Sequence, residues 1–317
     1  SFFAMMQRRW RGDFEPKAEP AGGYEAFAAE WSTPVDRELI GRRHGEPVIT
    51  WLGHATLLLQ VGGLNILIDP QFSSHAGPWG VFGAKRRVPV PIMPADLPPI
   101  DFVLISHNHY DHLDAPSIRR LDAIPGNRTR YLVPLGVKAW FDDQNIGPVE
   151  EMDWWNFRQY GEVAIHFTPA QHWSKRTPWD TNRSLWGGFA LFYWPGGIGR
   201  PSVVPWRFLY TGDTGYSPDF AEIRKRLGRF DLLAAPVGAY EPRDFMAPHH
   251  INPDEALQIM DDLGARNLLG VHWGTFELTQ EAFDRPPQDL DAARQARDIA
   301  ASRIWLFKHG ESRRVPR

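Results

Sequence analysis

The sequence predicts an α/β fold. Three observations carry that prediction. Apolar, β-rich segments of buried-strand length recur along the chain. From the middle of the chain onward they alternate with helices that have recognisable caps. Polar residues suited to chemistry sit where those strands end, the usual place for a site on an open α/β sheet. The 317 residues are enough for one large domain with a substantial core.

Residues 1–45 lack clear periodicity and read as an N-terminal extension packed on a body at 46–317. Phe2, Phe3, Met5, Met6 and Trp10 alternate there with Arg8, Arg9 and Arg11. That pattern suits either a lipid-interface patch or an arm laid on the body. The charge-free run 51–68 has the length of a membrane helix. Gly62-Gly63 splits it into β-rich Thr56–Val61 and Leu64–Ile68, so it reads as a hairpin with a two-residue turn. The chain thus shows no transmembrane segment. Residues 71–99, rich in Pro and Gly, form a long loop carrying Lys85-Arg86-Arg87, either a solvated edge or an anion site.

A buried strand follows at 101–105, then a helix from 116 and a short strand at 131–134. Val163–Thr168 is a strand that delivers Gln171-His172, and 208–211 is a strand that ends at Gly212-Asp213. Ser217-Pro218 caps a helix that Gly228 closes. Leu232–Pro236 is the next strand. Asn252-Pro253-Asp254-Glu255 is an N-cap with Pro at N1 and Glu at N3, and the helix it opens ends near Gly264. Asn267–Val271 is a strand that delivers His272. A last helix is expected at 289–301 and a closing strand at 303–307.

The chemistry concentrates in Ser106-His107-Asn108-His109-Tyr110-Asp111-His112, directly after the strand at 101–105. In extended backbone, His107 and His109 point to one side. A turn into a helix would then bring Asp111 and His112 round as a second pair. Imidazole and carboxylate without thiol suit zinc, iron or manganese. A polar surface loop is the competing reading, and it does not explain four ligand-type residues in H-x-H-x-D-H order after a strand.

Bulk composition narrows the function. The 43% hydrophobic content is that of a soluble globular protein, and the net charge of −3 offers no basic field to draw in nucleic acid. No cysteine is present, so disulfides and thiolate ligands are excluded. That leaves cytoplasm and periplasm both open. The chain starts at Ser1, so a targeting or anchoring segment could precede it.

H-x-H-x-D-H resembles the signature of the metallo-β-lactamase superfamily. Further runs resemble its branch of N-acylphosphatidylethanolamine-hydrolysing phospholipases D. These are Trp51-Leu52-Gly53-His54-Ala55-Thr56, Pro98 to Asp114, Phe167-Thr168-Pro169-Ala170-Gln171-His172-Trp173, Thr211-Gly212-Asp213-Thr214-Gly215-Tyr216, Gly238-Ala239-Tyr240-Glu241-Pro242-Arg243 and His272-Trp273-Gly274-Thr275-Phe276. They span about residues 50–277 in order.

The resemblance implies a four-layer αβ/βα sandwich of two mixed β-sheets. It implies two divalent ions, zinc before others: one on His107, His109 and His172, the other on Asp111, His112 and His272, with Asp213 bridging. It implies a phospholipase-D-type zinc-dependent hydrolase, in which a hydroxide held between the ions attacks phosphorus and N-acylethanolamine leaves phosphatidic acid. Asp111, Asp213 and His250 are the candidate catalytic residues, with His250 the proton donor or a phosphate contact; a helix-flank histidine is its plainer reading. Asp69 is read as a carboxylate orienting a ligand imidazole, and His54 as a structural neighbour of the site.

Tyr240 and Arg243 are candidate phosphate or headgroup contacts. Trp273, with Trp173 and Trp186, either walls an apolar channel or belongs to the core. The expected partner is a phospholipid at a membrane surface, the protein being soluble or peripherally attached; a homodimer is left open. Two competing functions remain: a dinuclear hydrolase of a small soluble ester, lactone or phosphodiester, and a non-catalytic metal-binding membrane-surface module.

Overall fold

Strand alternation sorts the apolar side chains into two cores. The computed structural model describes residues 19–197 and 203–316; the aromatic and basic residues at 2–11 lie outside them. One sheet contains β1 (Val48–Gly53), β2 (Thr56–Val61), β3 (Leu64–Ile68), β6 (Phe102–Leu104), β7 (Arg130–Pro134), β8 (Val149–Met152) and β16 (Ser312–Arg314), in the order β16-β1-β2-β3-β6-β7-β8. Along β2, Leu57, Leu59 and Val61 enter the central core while Leu58 faces the other way. Along β3, Ile66 and Ile68 point in and Leu67 points out. This period of two places one core between the sheets and a second on the outer face of this sheet. Ile118 and Leu121 of α3 (Ala115–Asp122) and Phe141 of α4 (Lys138–Asp143) fill the outer core.

The second sheet runs β15-β14-β13-β12-β11-β10-β9. Its strands are β9 (Phe157–Tyr160), β10 (Val163–Thr168), β11 (Gly188–Tyr193), β12 (Trp206–Tyr210), β13 (Leu232–Pro236), β14 (Asn267–Val271) and β15 (Ile304–Trp305). Each sheet is antiparallel at one end and parallel at the other. α5 (Asp219–Leu227), α7 (Pro253–Leu263) and α8 (Arg285–Ala296) accompany the parallel half, as βαβ crossovers require. The result is two mixed sheets with helices outside.

Five strands have the bounds read from sequence, and the Gly62-Gly63 hairpin is present. The capping box of α7 is complete: Asn252 Oδ1 accepts from the Glu255 amide, and Glu255 Oε2 accepts from the Asn252 amide, both at 2.9 Å.

Four expectations are corrected. His112 is not on a helix: α3 begins only at Ala115, because Asp114 caps it. α5 starts at Asp219 rather than just after Ser217, although the Ser217 hydroxyl still accepts from the Asp219 amide at 3.3 Å. The last helix is Arg285–Ala296, with prolines in its first turn, rather than 289–301. The closing strand shrinks to Ile304–Trp305, and the chain then returns to the first sheet as β16, pairing antiparallel with β1. The loop at 71–99 also holds a small hairpin, β4 (His75–Ala76) with β5 (Ala84–Lys85). In it Arg86 is turned inward onto the carbonyls of Gln71 and Ser73, and Arg87 pairs with Glu277, so neither is part of a solvated edge.

Residues 19–45 carry α1 (Gly23–Glu30) and α2 (Arg37–Ile40). Phe27 is buried edge-on against Trp273 and Phe283. Gln60, fully buried in β2, ties this stretch down: its Nε2 lies 2.9 Å from each of the Ile40 and Arg42 carbonyls and from Asn65 Oδ1. Gln60→Ala leaves those acceptors unpaired and should cost about 1–3 kcal/mol, read as a lower urea midpoint at unchanged slope. An unaltered midpoint would contradict the tether.

Candidate metal centre

Strand ends of both sheets meet at one edge, and the donors come from there. After β6 the chain stays irregular through the histidine cluster. His107 Nε2 lies 2.8 Å from His109 Nδ1, which lies 3.2 Å from His172 Nε2 beyond β10. His172 Nδ1 is 2.9 Å from the His249 carbonyl, so that nitrogen is the donor and Nε2 is free to face the site. Asp111 Oδ2 lies 3.5 Å from His112 Nε2 and 3.4 Å from His272 Nε2 at the end of β14. Asp213, beyond β12, stands between the groups: its Oδ2 is 3.1 Å from His112 Nε2, 3.2 Å from His272 Nε2 and 4.0 Å from His172 Nε2. The structure thus brings all seven expected donors together: His107, His109 and His172 cluster, Asp111, His112 and His272 cluster with His54, and Asp213 lies close to members of both groups.

These donors fit metal ions better than they fit one another. Asp213 Oδ1, His109 Nε2 and His272 Nε2 are buried without a hydrogen-bond partner. Nitrogens bonded at about 2.0–2.1 Å to one tetrahedral ion lie roughly 3.3 Å apart, close to the separations here. The groups that could hold one ion are His107, His109 and His172; those that could hold a second are Asp111, His112 and His272, with Asp213 reaching both.

A further shell holds the donors in place. Asp69, after β3, is fully buried. Its carboxylate accepts from the Ser106 amide at 2.8 Å, the Ser106 hydroxyl at 2.5 Å, His112 Nδ1 at 2.8 Å and the Tyr210 hydroxyl at 2.6 Å. His54 does more than pack, since its Nε2 reaches Asp111 Oδ2 at 3.0 Å. Gly212 has φ +64°, and a Cβ there would sit 2.4 Å from the Gly187 carbonyl oxygen; only glycine lets the chain turn Asp213 into the site.

Some orienting groups escaped the sequence reading. Arg176 donates to the Asn108 and Leu113 carbonyls at 2.8 and 2.7 Å, bracketing the histidine loop, and lies over the Tyr110 ring. His309 Nε2 meets Thr275 Oγ1 at 2.8 Å, and that hydroxyl accepts from the His54 amide at 2.7 Å. Both sit far from the motif in sequence, and nothing local announces them.

The expected substrate contacts fare differently. Arg243 pairs through Nη2 with both Glu255 oxygens, at 2.9 and 2.7 Å, and donates to the His250 carbonyl at 2.9 Å. The Tyr240 hydroxyl donates to Asp289 at 2.6 Å. Trp273 is a core residue, stacked on Trp51 and edge-on to Trp31. Their polar and aromatic groups are thus committed inside the fold. Trp186 is likewise held, donating to the Ala170 carbonyl. Trp173 is partly exposed and packs edge-on against His109. His250 Nδ1 lies 3.9 Å from Asp213 Oδ2, buried and without a hydrogen-bond partner.

A family model described as a beta-lactamase superfamily domain matches residues 64–273. Over 260 residues the chain is 40% identical to the N-acyl-phosphatidylethanolamine-hydrolyzing phospholipase D 1 of Caenorhabditis elegans, covering 78% of this chain and 70% of that protein. It is also 40% identical over 251 residues to the mitochondrial N-acyl-phosphatidylethanolamine-hydrolyzing phospholipase D of Saccharomyces cerevisiae. That match covers 76% of this chain but spans only half, 50%, of the yeast protein. An isothiocyanate hydrolase from Delia radicum gut bacteria has the same fold, with a TM-score of 0.63, 17% identity, and coverage of 84% of this chain and 98% of that one.

Charge explains why the site calls for cations. Burial drives His107 and His172 well below the usual imidazole range and His109 down to about 4, so these rings are neutral and ready to donate a lone pair. Burial would raise Asp111 and Asp213, but the neighbouring His112 imidazole outweighs it and holds both well below the carboxylate range. Burial likewise opposes charge on His272, yet Asp213 and Asp111 lift it to about 9. Without metal, His272 therefore carries a proton at neutral pH that a bound cation must expel. Metal affinity should rise with pH up to about 9, and binding should release at least one proton. Calorimetric titration in buffers of different ionisation enthalpy reads both, and the same titration should saturate at two ions per chain. No proton release between pH 6 and 8, a window below that value, would contradict this charge balance.

Proposed function

The chain belongs to the beta-lactamase superfamily, in the branch that includes the N-acyl-phosphatidylethanolamine-hydrolyzing phospholipases D, and from that premise we propose that it is a metal-dependent phosphodiesterase of the phospholipase D type. Its substrate is N-acylphosphatidylethanolamine, and its products are N-acylethanolamine and phosphatidic acid. The observation that carries this reading is a complete seven-donor cluster, buried at one sheet edge, in a chain 40% identical to two enzymes named for that hydrolysis. Among the described residues no helix is long and apolar enough to cross a membrane.

His107, His109 and His172 would hold one divalent ion, and Asp111, His112 and His272 the other. Asp213 would join them, and zinc suits this donor set. Such ions supply hydroxide at neutral pH and neutralise charge on a phosphoryl oxygen. The chain's own residues do the rest. Asp69 and the His249 carbonyl fix the tautomers of His112 and His172, and His54 steadies Asp111.

The leaving alkoxide needs a proton, and we assign its donation to His250, a reading supported by the 3.9 Å between His250 Nδ1 and Asp213 Oδ2. Burial holds His250 down at about 4, so the resting ring is neutral, while Asp213 pulls the other way. An anionic phosphodiester beside the ring would add to that pull and favour the protonated, donating form.

Incubation of the metal-loaded protein with N-acylphosphatidylethanolamine in mixed micelles should yield N-acylethanolamine and phosphatidic acid by mass spectrometry. Their absence, alongside efficient turnover of a soluble lactone or cyclic phosphodiester, would replace this reading. His250→Ala should keep both metals and lose about 10²–10⁴-fold in rate. The loss should shrink on a nitrophenyl phosphodiester, whose leaving group needs no proton. Equal losses on both substrates would contradict the donor role.

A further inference from the structure

Trp79 is 71% exposed, Val81 57%, Phe82 58% and Trp179 81%. The first three crown the β4–β5 hairpin, where the Trp79 and Phe82 rings meet edge to face at 5.9 Å. Trp179 crowns a second loop whose backbone is tied down: Asp180 Oδ1 accepts from the Arg176 and Thr177 amides at 3.0 and 2.8 Å. Both tips border one cleft of about 470 Å³, lined by Trp79 of the hairpin and by Thr177 and Asp180 of the second loop. The same cleft is lined by Asn108 and Tyr110, the residues that alternate with His107, His109 and Asp111. The apolar tips therefore flank the histidine loop.

This arrangement has a cost and no internal return. Trp79 adopts φ +56° and ψ 9°, a left-handed conformation that bulky residues rarely take. Strain of this kind persists where a function selects it, and clustered exposed aromatics mark an interaction surface. The charge around them indicates the partner. Exposed Arg119 and Arg183 line the cleft against the one carboxylate of Asp180, beside Arg176, whose guanidinium is committed to the histidine loop, and exposed Lys85 stands at the foot of the hairpin, although the whole chain is net negative. Aromatic rings at headgroup level with cations among them suit a bilayer carrying anionic lipid. Two separate protruding tips also suit a fluid surface that moulds to them better than a flat protein face.

The geometry points to a membrane-docking surface in which the Trp79-Val81-Phe82 hairpin tip and Trp179 insert into an anionic phospholipid bilayer and hold the histidine loop over the headgroups. The purpose of this surface rests on the lipid-substrate reading above; its test does not.

The test uses the full metal-loaded chain with phosphatidylcholine vesicles, with and without phosphatidylglycerol. The variants are Trp79→Ser with Phe82→Ser, Trp179→Ser, and Phe157→Ser as an exposed control on another edge. Co-sedimentation with the anionic vesicles should weaken about tenfold or more in both loop variants and stay unchanged in the control. Brominated lipid should quench the fluorescence of the wild type, and quench the loop variants less. Circular dichroism and any turnover of a soluble nitrophenyl phosphodiester should be unchanged. Undiminished vesicle binding by the loop variants, or no binding by the wild type, overturns the proposal. So does light scattering in which the wild type is a dimer and the loop variants are monomers, since the tips would then be a protein interface. No outcome depends on N-acylphosphatidylethanolamine turnover, so failure of the substrate reading remains distinguishable.

Discussion

The Asp69 carboxylate accepts hydrogen bonds from groups on both sheets: the Ser106 amide and hydroxyl, His112 Nδ1 and the Tyr210 hydroxyl. Asp69 and Ser106 stand at the ends of neighbouring strands of the first sheet, while Tyr210 closes a strand of the second. A polar group buried this deeply is tolerated only when its lone pairs are filled, so the clasp fixes how the two sheet edges meet. His112 is placed by it directly. Asp213, three residues beyond Tyr210, is placed through the turn at Gly212. Donor geometry and sheet packing are thus one constraint, and changing either sheet edge moves donors of both groups.

Around that clasp the molecule concentrates charge of one kind and leaves room for the other. Asp111 and Asp213 stay ionised inside a space where His107, His109 and His172 are neutral. Protons on His112 and His272 offset the carboxylates while metal is absent. A cation that displaces those protons takes their place as the buried partner of the carboxylates. Orienting groups from distant segments, the His249 carbonyl on His172 and the His54 ring on Asp111, then select which nitrogen or oxygen faces the ions.

Much of this was legible in the sequence, for identifiable reasons. Val163–Thr168, Leu232–Pro236 and Asn267–Val271 are apolar runs bounded by turn residues, and buried strands leave that trace. His107, His109, Asp111 and His112 were legible from their spacing after a strand, whereas His172, Asp213 and His272 came only with the family resemblance of the runs around them. What could not be read depends on long-range partners. β16 is Ser-Arg-Arg, an edge strand held by backbone pairing to β1 with no apolar alternation to betray it. Arg243 and Tyr240 look like free polar groups until the fold brings Glu255 and Asp289 to them. Trp273 follows a donor in sequence yet points into a stack with Trp51, more than two hundred residues earlier.

The central claim is that this buried donor set directs water to phosphorus on the headgroup side of a lipid phosphodiester. Hydrolysis of N-acylphosphatidylethanolamine in heavy-oxygen water tests it most directly, with mass spectrometry of both products after a single turnover. The account requires the heavy oxygen in the phosphate of phosphatidic acid and none in N-acylethanolamine. Label in the N-acylethanolamine hydroxyl would mean attack at carbon, and label in a released fatty acid would mean an esterase; either result would contradict it.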